Sequence, residues 1–561
     1  MTTLDRRNLL KAAGAAGALN LVWPLSAGLS PARAREAAEA LGAEYDPAPF
    51  TLGVASGDPQ PSSVVLWTRL APEPLAAEQQ LPEVVEVGWV VAEDPALSRV
   101  VARGTAPASA TLGHSVHVPV HGLGAGRHYW YAFTALGRTS RTGRTRTAPV
   151  GGVPRVRFAA ANCQAFHDGY YAAHRGIARE DVDFVVHLGD YIYEHGPVGG
   201  DHVRDHEGPA VLTLADYRRR HALYKGDASL REAHAAHPWF LTWDDHEVAN
   251  DYSGTGGGAP FLQRRAAAYQ AWYENMPHRD ASATSALPDP EIHRVRRWGD
   301  LLELTVLDLR SYRSAQNLPN GTILGAGQKS WLKTTIDRAP DSWHVWANSI
   351  MLSQLRGRPG GSYMFTDQWD GFLAERKEVL NHVHTSGLED LVVITGDWHS
   401  AFVDDIRTDF DDPSSPLVGT EFTAHSITSG AYSADWNATN GPLMGRANPH
   451  LKYFEGNRYG YDVYEVTPER FSTHMRVIAD RRDPASPVTT LTTFHVDRAG
   501  RARTRTRRRR TARHSGAGTD PATGAGLTYV TPVRGTAAHR SVLWSRSCSL
   551  PTPPESTATS P

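Results

Sequence analysis

The stretch "FVVHLGDYIYE", residues 184–194, decides the fold. An apolar run passes through His187 and ends at Asp190, and Tyr193 follows three residues later. A short apolar run that ends in turn-forming residues is typical of a buried strand. We interpret His187 as a structural residue of this strand and Tyr191 as a residue that packs in the core.

The same form recurs along the chain after residue 151. The segments include "VRFAAANC", "WFLTWDD", "LLELTVLDLR", "WHVWANSIML" and "DLVVITGDWHS", separated by helical stretches such as "FLAERKEVLNHVH". Near-continuous apolar strands that alternate with helices predict an α/β fold whose sheet is covered on both faces. Earlier runs such as "SSVVLWTRL" and "HYWYAFTAL" alternate apolar and polar residues, which predicts an all-β domain of immunoglobulin or fibronectin type.

These patterns divide the chain into four parts. We predict an export signal at 1–34, a β-sandwich at 45–150, an α/β domain at 151–497 and a tail at 498–561. The tail begins with the arginine-rich stretch "RTRTRRRR", which has no apolar periodicity, so we expect it to be disordered. A polyanion contact and a shifted reading frame are the alternatives for this tail.

The amino terminus carries paired arginines in "LDRRNLLK", an apolar run and an A-x-A sequence at 32–34. This pattern predicts a twin-arginine signal peptide, a secreted protein and the twin-arginine export machinery as a partner. A transmembrane anchor is the alternative, but Gly, Asn and Pro interrupt the run. Proteins exported by this route load their cofactor before crossing, which suggests a metal.

Charge and cysteine content exclude several classes of protein. The formal net charge is −2 and the pI about 7.0, so no global field draws the chain to nucleic acid, and we predict no nucleic-acid-binding role. Only Cys163 and Cys548 occur, which excludes a disulfide-dense scaffold. A bridge between these two is the alternative to a functional Cys163.

Four of the apolar runs end in side chains that bind metals. They are Cys163 after the first, Asp190 and Tyr193 after the second, Asp245 and Asn250 after the third, and Asp397 and His399 after a late one. Ligands of open α/β sheets bind beyond the carboxyl ends of the strands, so we expect these side chains to lie together. Several carboxylates in one place require bound cations or strongly raised pKa values.

The ligand types point to more than one kind of ion. Carboxylate and amide oxygens suit Ca²⁺, Mg²⁺ or Mn²⁺, whereas thiolate, phenolate and imidazole suit a transition ion such as iron. Asp190 and Tyr193 are three residues apart, a spacing that puts their side chains on one face if a helical turn starts there. The alternative is that Asp190 caps a helix while Tyr193 packs in the core.

Several longer motifs together resemble one family. "HLGDYIYE", "WDDHEVAND", "ITGDWHS", "LDLRSYRS" and "DQWDGF" are similar to motifs of the PhoD family of alkaline phosphatases and phosphodiesterases, within the calcineurin-like metallophosphoesterases. The resemblance extends from Phe50 to about Phe494. It implies a four-layer metallophosphoesterase-like sandwich after the all-β domain. The superfamily's D-x-H and G-N-H-E patterns are replaced by residues 162–164 and 244–247, as they are in the PhoD family.

The resemblance also implies a metal centre of Fe³⁺ and Ca²⁺. It implies Cys163 and Tyr193 as iron ligands, Asp190 as the bridge, Asp397 or His399 as a further iron ligand, and Asp245 and Asn250 as calcium ligands. The family's C-terminal helix, which can cover the site, has no convincing match in the arginine-rich tail. Acidic neighbours favour an imidazolium at His246, which we predict to be catalytic as the donor to a bound phosphate or a leaving group.

The implied function is hydrolysis of phosphoric esters, with release of inorganic phosphate from monoesters and from diesters by a metal-activated water. The first alternative is a phosphodiesterase or phospholipase D, which alone would require contact with a membrane. Arg310 and Arg313 could supply a cation for a diester, but we favour structural or solvated roles for both. The second alternative is a non-catalytic protein that binds an extracellular polymer.

Overall fold

The computed structural model describes residues 48–76, 79–196, 202–205, 210–254, 256–279 and 291–498, together with the backbone of 527–529. The predicted export signal, Cys548 and most of the predicted tail lie outside these residues. No helix among the described residues is long and apolar enough to cross a membrane.

The described strands are β1 (Val54–Gln60), β2 (Ser63–Arg69), β3 (Val84–Ala92), β4 (Val100–Ser109), β5 (Ser115–His121), β6 (His128–Ala135), β7 (Arg138–Thr139), β8 (Gly143–Arg146), β9 (Val156–Ala161), β10 (Phe184–His187), β11 (Pro238–Leu241), β12 (Arg294–Trp298), β13 (Leu302–Val306), β14 (Trp343–Asn348), β15 (Leu391–Thr395), β16 (Ala401–Arg407), β17 (Leu417–Thr423), β18 (Leu451–Glu455), β19 (Gly460–Val466), β20 (Arg470–Ile478), β21 (Val488–Asp497) and β22 (Leu527–Tyr529). The α-helices are α1 (Ala172–Arg179), α2 (Leu214–Lys225), α3 (Ala228–Ala236), α4 (Gly258–Asn275), α5 (Gly325–Asp337), α6 (Leu373–Ser386) and α7 (Ala434–Ala447). Short 3₁₀ turns occur at Ala110–Leu112, Phe166–Asp168 and Trp369–Gly371.

Two large sheets carry the α/β region. One has ten strands in the order β22-β21-β20-β19-β9-β10-β11-β1-β2-β5, and the other has seven in the order β12-β13-β14-β15-β17-β16-β18. Strands β9, β10, β11 and β1 run parallel, and Ala161, His187 and Leu241 lie side by side at their carboxyl end. The chain segments that follow these three residues therefore emerge at one edge of the sheet.

Successive residues of each central strand point to opposite faces of the sheet and so pack in different layers of the fold. In β10, Val185 packs beneath α1 to α4, whereas Phe184 and Val186 face the seven-stranded sheet. In β15, Ile394 shares the core between the two sheets, whereas Val393 packs against α5 and α6 on the other side. Since both faces of each strand are buried, the continuous apolar runs are explained. The predicted four-layer α/β sandwich is confirmed.

The amino-terminal region is all-β, as predicted. Strands β3, β4, β6, β7 and β8 form a five-stranded sheet that packs on β1, β2 and β5 across a shared apolar core. Those three strands are also the end of the ten-stranded sheet, where β1 pairs in parallel with β11. The sheet thus crosses the predicted boundary at residue 150. The domain limits themselves stay a prediction.

Candidate metal centre

The site is built where four strands end. Cys163, Asp190 and Asp244 follow the neighbouring strands β9, β10 and β11, and Asp397 follows β15 of the facing sheet. All four side chains are buried or nearly so. The edge at which the two sheets meet therefore gathers a thiol and three carboxylates from segments that are far apart in the sequence.

Two glycines make this convergence possible. Gly189 has a φ of +110°, and a Cβ at this position would lie 2.5 Å from the Cβ of Asp244. A Cβ on Gly396 would lie 3.0 Å from the Cβ of Asn162. In each Gly-Asp pair, the glycine lets the backbone pass close to another strand end. The aspartate that follows it is thereby brought into the site.

The backbone of the site is strained. The left-handed region is occupied by five non-glycine residues here: Cys163, Asp190, Asp251, Asp397 and His399, with φ between 52° and 67°. Such conformations are uncommon outside glycine and persist where the surrounding structure enforces them, often at functional sites. Four of the five, Cys163, Asp190, Asp397 and His399, have donor atoms in groups whose members lie within 4.8 Å of one another, so the strained conformation accompanies the convergence of these side chains.

One side of the site holds sulfur, phenol and imidazole donors. Cys163 Sγ lies 3.4 Å from Asp190 Oδ2, and the Tyr193 hydroxyl donates to the same oxygen at 2.9 Å. The Tyr193 oxygen also lies 3.1 Å from His399 Nε2 and accepts from the Ser429 hydroxyl at 2.7 Å. The predicted pair of Asp190 and Tyr193 thus converges with Cys163 and His399 into one compact donor set, the soft set.

His399 is oriented for use as a ligand. Its Nδ1 lies 3.0 Å from the carbonyl oxygen of Gly430, which can only accept, so Nδ1 carries the proton and Nε2 presents a lone pair to the soft set. Burial lowers the pKa of His399 to about 4. A neutral imidazole with its free nitrogen turned inward is the form that binds metals.

The other side of the site holds carboxylates. One oxygen from each of four aspartates lies within 4.8 Å of the others: Asp190, Asp244, Asp245 and Asp397. Burial, reinforced by neighbouring carboxylates, raises the pKa values of Asp190 and Asp397 well above the usual range. This acidic set shares Asp190 with the soft set.

Arg310 is the resident cation beside the acidic set. Its side chain is completely buried, and it donates to Asp244 Oδ1 from Nε at 2.5 Å and to Asp367 Oδ2 from Nη1 at 2.6 Å. Its Nη2 faces Asp245 Oδ1 at 3.6 Å and Asp397 Oδ1 at 3.9 Å. Arg310 is therefore buried rather than solvated, and its Nη2 faces the acidic set without a hydrogen-bond partner, so its role toward a substrate stays a prediction. Arg313, also buried, donates to Asp367 and supports the same carboxylate.

His246 stands at the edge of both sets. Its ring stacks on Tyr193 with centroids 4.2 Å apart, and its Nδ1 lies 2.7 Å from Glu194 Oε2. Burial opposes a charged ring, but the carboxylates of Asp245, Asp190 and Glu194 outweigh it and raise the pKa of His246 well above its ordinary value. With Nδ1 bonded to Glu194, Nε2 is the atom available to a bound molecule.

Hydrogen bonds to the Glu247 carboxylate hold the loop after β11 in place. Glu247 accepts the backbone N–H groups of Asp190, Tyr191 and Asp244 at 3.1, 2.7 and 2.9 Å, so one carboxylate ties together two of the strand ends. Asn250 is exposed, and its backbone N–H donates to Glu194 Oε1 at 2.9 Å. The role of the Asn250 side chain as a calcium ligand stays a prediction.

His187 and Tyr191, which we predicted to be structural, form hydrogen bonds with other buried side chains. His187 is buried with Nε2 at 3.4 Å from Gln164 Oε1, and the Tyr191 hydroxyl lies 2.8 Å from His234 Nε2. Sequence reasoning missed Glu194, Asp367, Gln368 and Ser429. Glu194 ends the opening stretch, and "DQ" at 367–368 begins "DQWDGF", so the motifs contained these residues without indicating their partners.

The residues fit a centre of unlike cations. Three buried carboxylate oxygens of the acidic set have no hydrogen-bond partner: Asp190 Oδ1, Asp244 Oδ2 and Asp245 Oδ1. Burial, then neighbouring carboxylates, also raises the pKa values of Cys163 and Tyr193 well above the usual range. Groups that would otherwise hold protons become anionic ligands when a metal displaces those protons. The soft set suits a transition ion, and the acidic set suits a hard cation such as Ca²⁺.

Comparison with known proteins gives a consistent result. Residues 158–475 match the family model described as PhoD-like phosphatase, and residues 35–149 match the model of its N-terminal domain. Alkaline phosphatase D of Bacillus subtilis (strain 168) is 39% identical over 518 residues, which cover 88% of this chain and 87% of that protein. A solved structure described as "Structure of PhoD" superposes with a TM-score of 0.76 at 40% identity, covering 80% of this chain and 90% of that one.

Proposed function

The chain belongs to the PhoD-like phosphatase family and is a phosphoric ester hydrolase, and from this premise we propose that it releases inorganic phosphate from phosphomonoesters at a mixed centre of Fe³⁺ and Ca²⁺. The observation that carries the proposal is the position of Asp190 in both donor sets. One carboxylate shared between a soft set and an acidic set is suited to bridge two unlike ions.

The two sets also support an assignment of ligands. The Cys163 thiol and the Tyr193 hydroxyl both contact Asp190 Oδ2, and His399 Nε2 contacts the Tyr193 oxygen. We therefore assign these three residues to iron, together with Asp190. This leaves Asp397 for calcium, beside Asp244 and Asp245, with Asn250 retained from the family resemblance. The sequence left open whether Asp397 or His399 is the further iron ligand. We propose His399.

Bound cations supply charge that holds phosphate oxygens and lowers the pKa of a water molecule to produce the nucleophile. Arg310 neutralises part of the acidic set and holds Asp244 and Asp367 in place. His246 Nε2 carries a proton to the leaving oxygen, while Glu194 accepts from Nδ1–H and keeps the ring in that orientation.

Purified protein is expected to contain iron and calcium, with a visible absorption band from tyrosinate bound to ferric iron. Tyr193→Phe should weaken this band, because it removes the phenol oxygen at 2.9 Å from Asp190 Oδ2. Tyr191→Phe is the matched control, since Tyr191 is equally buried two residues away and bonds His234 instead. Colourless protein that contains zinc alone would contradict the mixed centre.

The substrate class is tested with three compounds: a phosphomonoester, a bis-aryl phosphodiester and phosphatidylcholine. We expect the monoester to be hydrolysed with the highest kcat/KM. Release of choline from phosphatidylcholine as the dominant activity would instead favour the phospholipase D alternative. Thiol, phenol, imidazole and carboxylate side chains lie together at the predicted positions other than Asn250, which argues against a non-catalytic polymer-binding protein.

Glu194→Gln is expected to lower kcat by about 10²-fold with little change in KM, because a neutral amide no longer favours the charged form of His246, while its oxygen can still accept from Nδ1–H. The double variant with His246→Asn should be no slower than His246→Asn alone, since both changes disable one unit. Glu180→Gln, which removes a carboxylate that pairs with Arg476 behind α1, is the control. Additive losses in the double variant would contradict a shared role.

We also propose that the protein is exported through the twin-arginine pathway, which rests on "LDRRNLLK" at residues 4–11. Replacing Arg6 and Arg7 together with lysine should retain the phosphatase activity inside the cell, whereas Lys11→Arg should not. The measurement is activity in culture medium against cell lysate. Equal activity in the medium from both chains would contradict export by this route.

A further inference from the structure

An aromatic surface borders the metal centre. Phe365 is 53% exposed and is the one aromatic residue among the large hydrophobic side chains that are exposed in the described part of the chain. Its ring contacts Trp398 with centroids 5.1 Å apart at an angle of 65°, and Trp398 in turn contacts Phe402 at 5.5 Å. The Phe365 ring thus rests on a buried support while about half of its surface stays open.

This surface is attached to the centre by short connections. Trp398 lies between Asp397 and His399 in the sequence, so its backbone is part of the turn that carries both side chains. On the other side, Asp367, two residues after Phe365, pairs with Arg310, and Gln368 donates to Asp397. Phe365 and Trp398 are therefore held in place by the same bonds that position the acidic set.

A second aromatic pair lies on the neighbouring segment. Tyr432 stacks on Trp436 with centroids 3.7 Å apart, two residues beyond the Gly430 carbonyl that orients His399. Trp436 packs against the cluster of buried residues that contains Trp398 and Phe402. Aromatic groups therefore lie near Trp398 on more than one segment.

One polar atom on this surface has no partner. Trp398 is 7% exposed, and its indole Nε1 is buried without a hydrogen-bond acceptor. Buried indole N–H groups usually find an acceptor, because leaving one unpaired costs free energy. Because this atom is buried, a bound molecule cannot reach it in this conformation, and Trp398 contributes as the support of the Phe365 ring.

We propose that Phe365 and Trp398 form the subsite for the leaving group, and that it selects phosphate esters whose leaving group carries a flat aromatic ring. The inference rests on the proposed function and names its substrate class. A phosphoryl group held at the acidic and soft sets must extend its ester substituent away from the cations, and the adjoining surface is aromatic. An aromatic ring gains more from such a surface than a saturated ring of equal size, through offset or edge-to-face contact.

The test compares benzyl, cyclohexylmethyl and ethyl phosphate on the full-length holoenzyme. Benzyl and cyclohexylmethyl phosphate have similar alkyl leaving groups and size, and only the first has a π face. In the wild type we expect kcat/KM to be highest for benzyl phosphate. Phe365→Ala should lower the benzyl-to-ethyl ratio of kcat/KM by about 10-fold, because an aromatic contact and its buried area are lost, whereas Phe365→Trp should preserve the ratio.

Leu136→Ala is the matched control. Leu136 is 54% exposed in the turn between β6 and β7, outside the centre, and its replacement should leave the substrate ratios unchanged. Iron and calcium contents of all variants are measured to separate a lost contact from a lost metal.

The outcomes separate the two proposals. Failure of the wild type to hydrolyse any of the three esters would contradict the proposed function itself. Hydrolysis with ratios that Phe365→Ala does not change would overturn the aromatic subsite and leave the proposed function standing. Unchanged ratios together with weaker binding of Phe365→Ala to phosphatidylcholine vesicles would show that Phe365 contacts lipid instead, which also overturns the subsite.

Discussion

Replacing Asp190 with asparagine is expected to lower kcat/KM for a phosphomonoester by at least ~10³-fold, which corresponds to about 4 kcal/mol of transition-state stabilisation. Asp190 is the residue that the soft and acidic sets share. An asparagine side chain is neutral and offers one oxygen in place of two, so it cannot neutralise and connect two cations in the same way. Both iron and calcium contents should fall.

In the absence of metal, Asp190→Asn should not be harmful to the protein, and the quantity that shows this is its folding stability. Burial and the adjacent carboxylates disfavour an ionised Asp190, so the asparagine variant without metal should be at least as stable as the wild type without metal. A chelator should lower the melting temperature of the wild type and leave that of the variant nearly unchanged.

Asp462→Asn is the control for Asp190→Asn. Asp462 is a completely buried aspartate of β19 that lies outside both donor sets and is contacted by the Tyr464 hydroxyl at 3.4 Å. We expect its replacement to retain metal content and activity. An Asp190→Asn protein with full iron, full calcium and wild-type kcat/KM would contradict the bridging role.

Replacing Arg310 with methionine is expected to cost about 3–5 kcal/mol of folding stability, the usual result of removing one partner from a buried ion pair. Arg310 is completely buried and donates to Asp244 and Asp367, so its loss leaves Asp244 without its hydrogen-bonded cation and Asp367 with Arg313 alone. Arg310→Lys should recover only part of this loss, because an ammonium group cannot donate to two carboxylates from a rigid planar fork. The measurement is the urea midpoint of the holoenzyme.

Arg127→Met is the matched control for Arg310→Met. Arg127 also pairs with a carboxylate, Glu93 at 3.1 Å, but the side chains of both residues are exposed. Exposed ion pairs contribute about 0–1 kcal/mol, so this variant should unfold at nearly the wild-type urea concentration. A lysine at position 310 that restores the full stability would contradict the requirement for a fork.

Much of the donor set follows from local sequence, since Asp190 and Asp397 each come after a glycine at the end of an apolar run. The pattern predicts that these carboxylates lie at the carboxyl edge of a sheet, and the structure places them together there. The same pattern could not separate Asp244 from Asp245, because adjacent residues of a turn have the same local signal. Glu194, one residue after Tyr193, was missed because its function depends on a contact with His246, 52 residues away in the sequence.

The sequence by itself determined the fold class, the all-β region that precedes it and the residue types at the strand ends. Apolar periodicity records which faces are buried, and this information is local. Only the tertiary structure decided that Asp190 belongs to two donor sets, that Arg310 pairs with Asp244 and Asp367, and that β1 continues the ten-stranded sheet. Each of these relations is a contact between residues that are far apart in the sequence. Such contacts depend on how the strands pair and how the two sheets pack face to face, and a local sequence pattern does not contain that information.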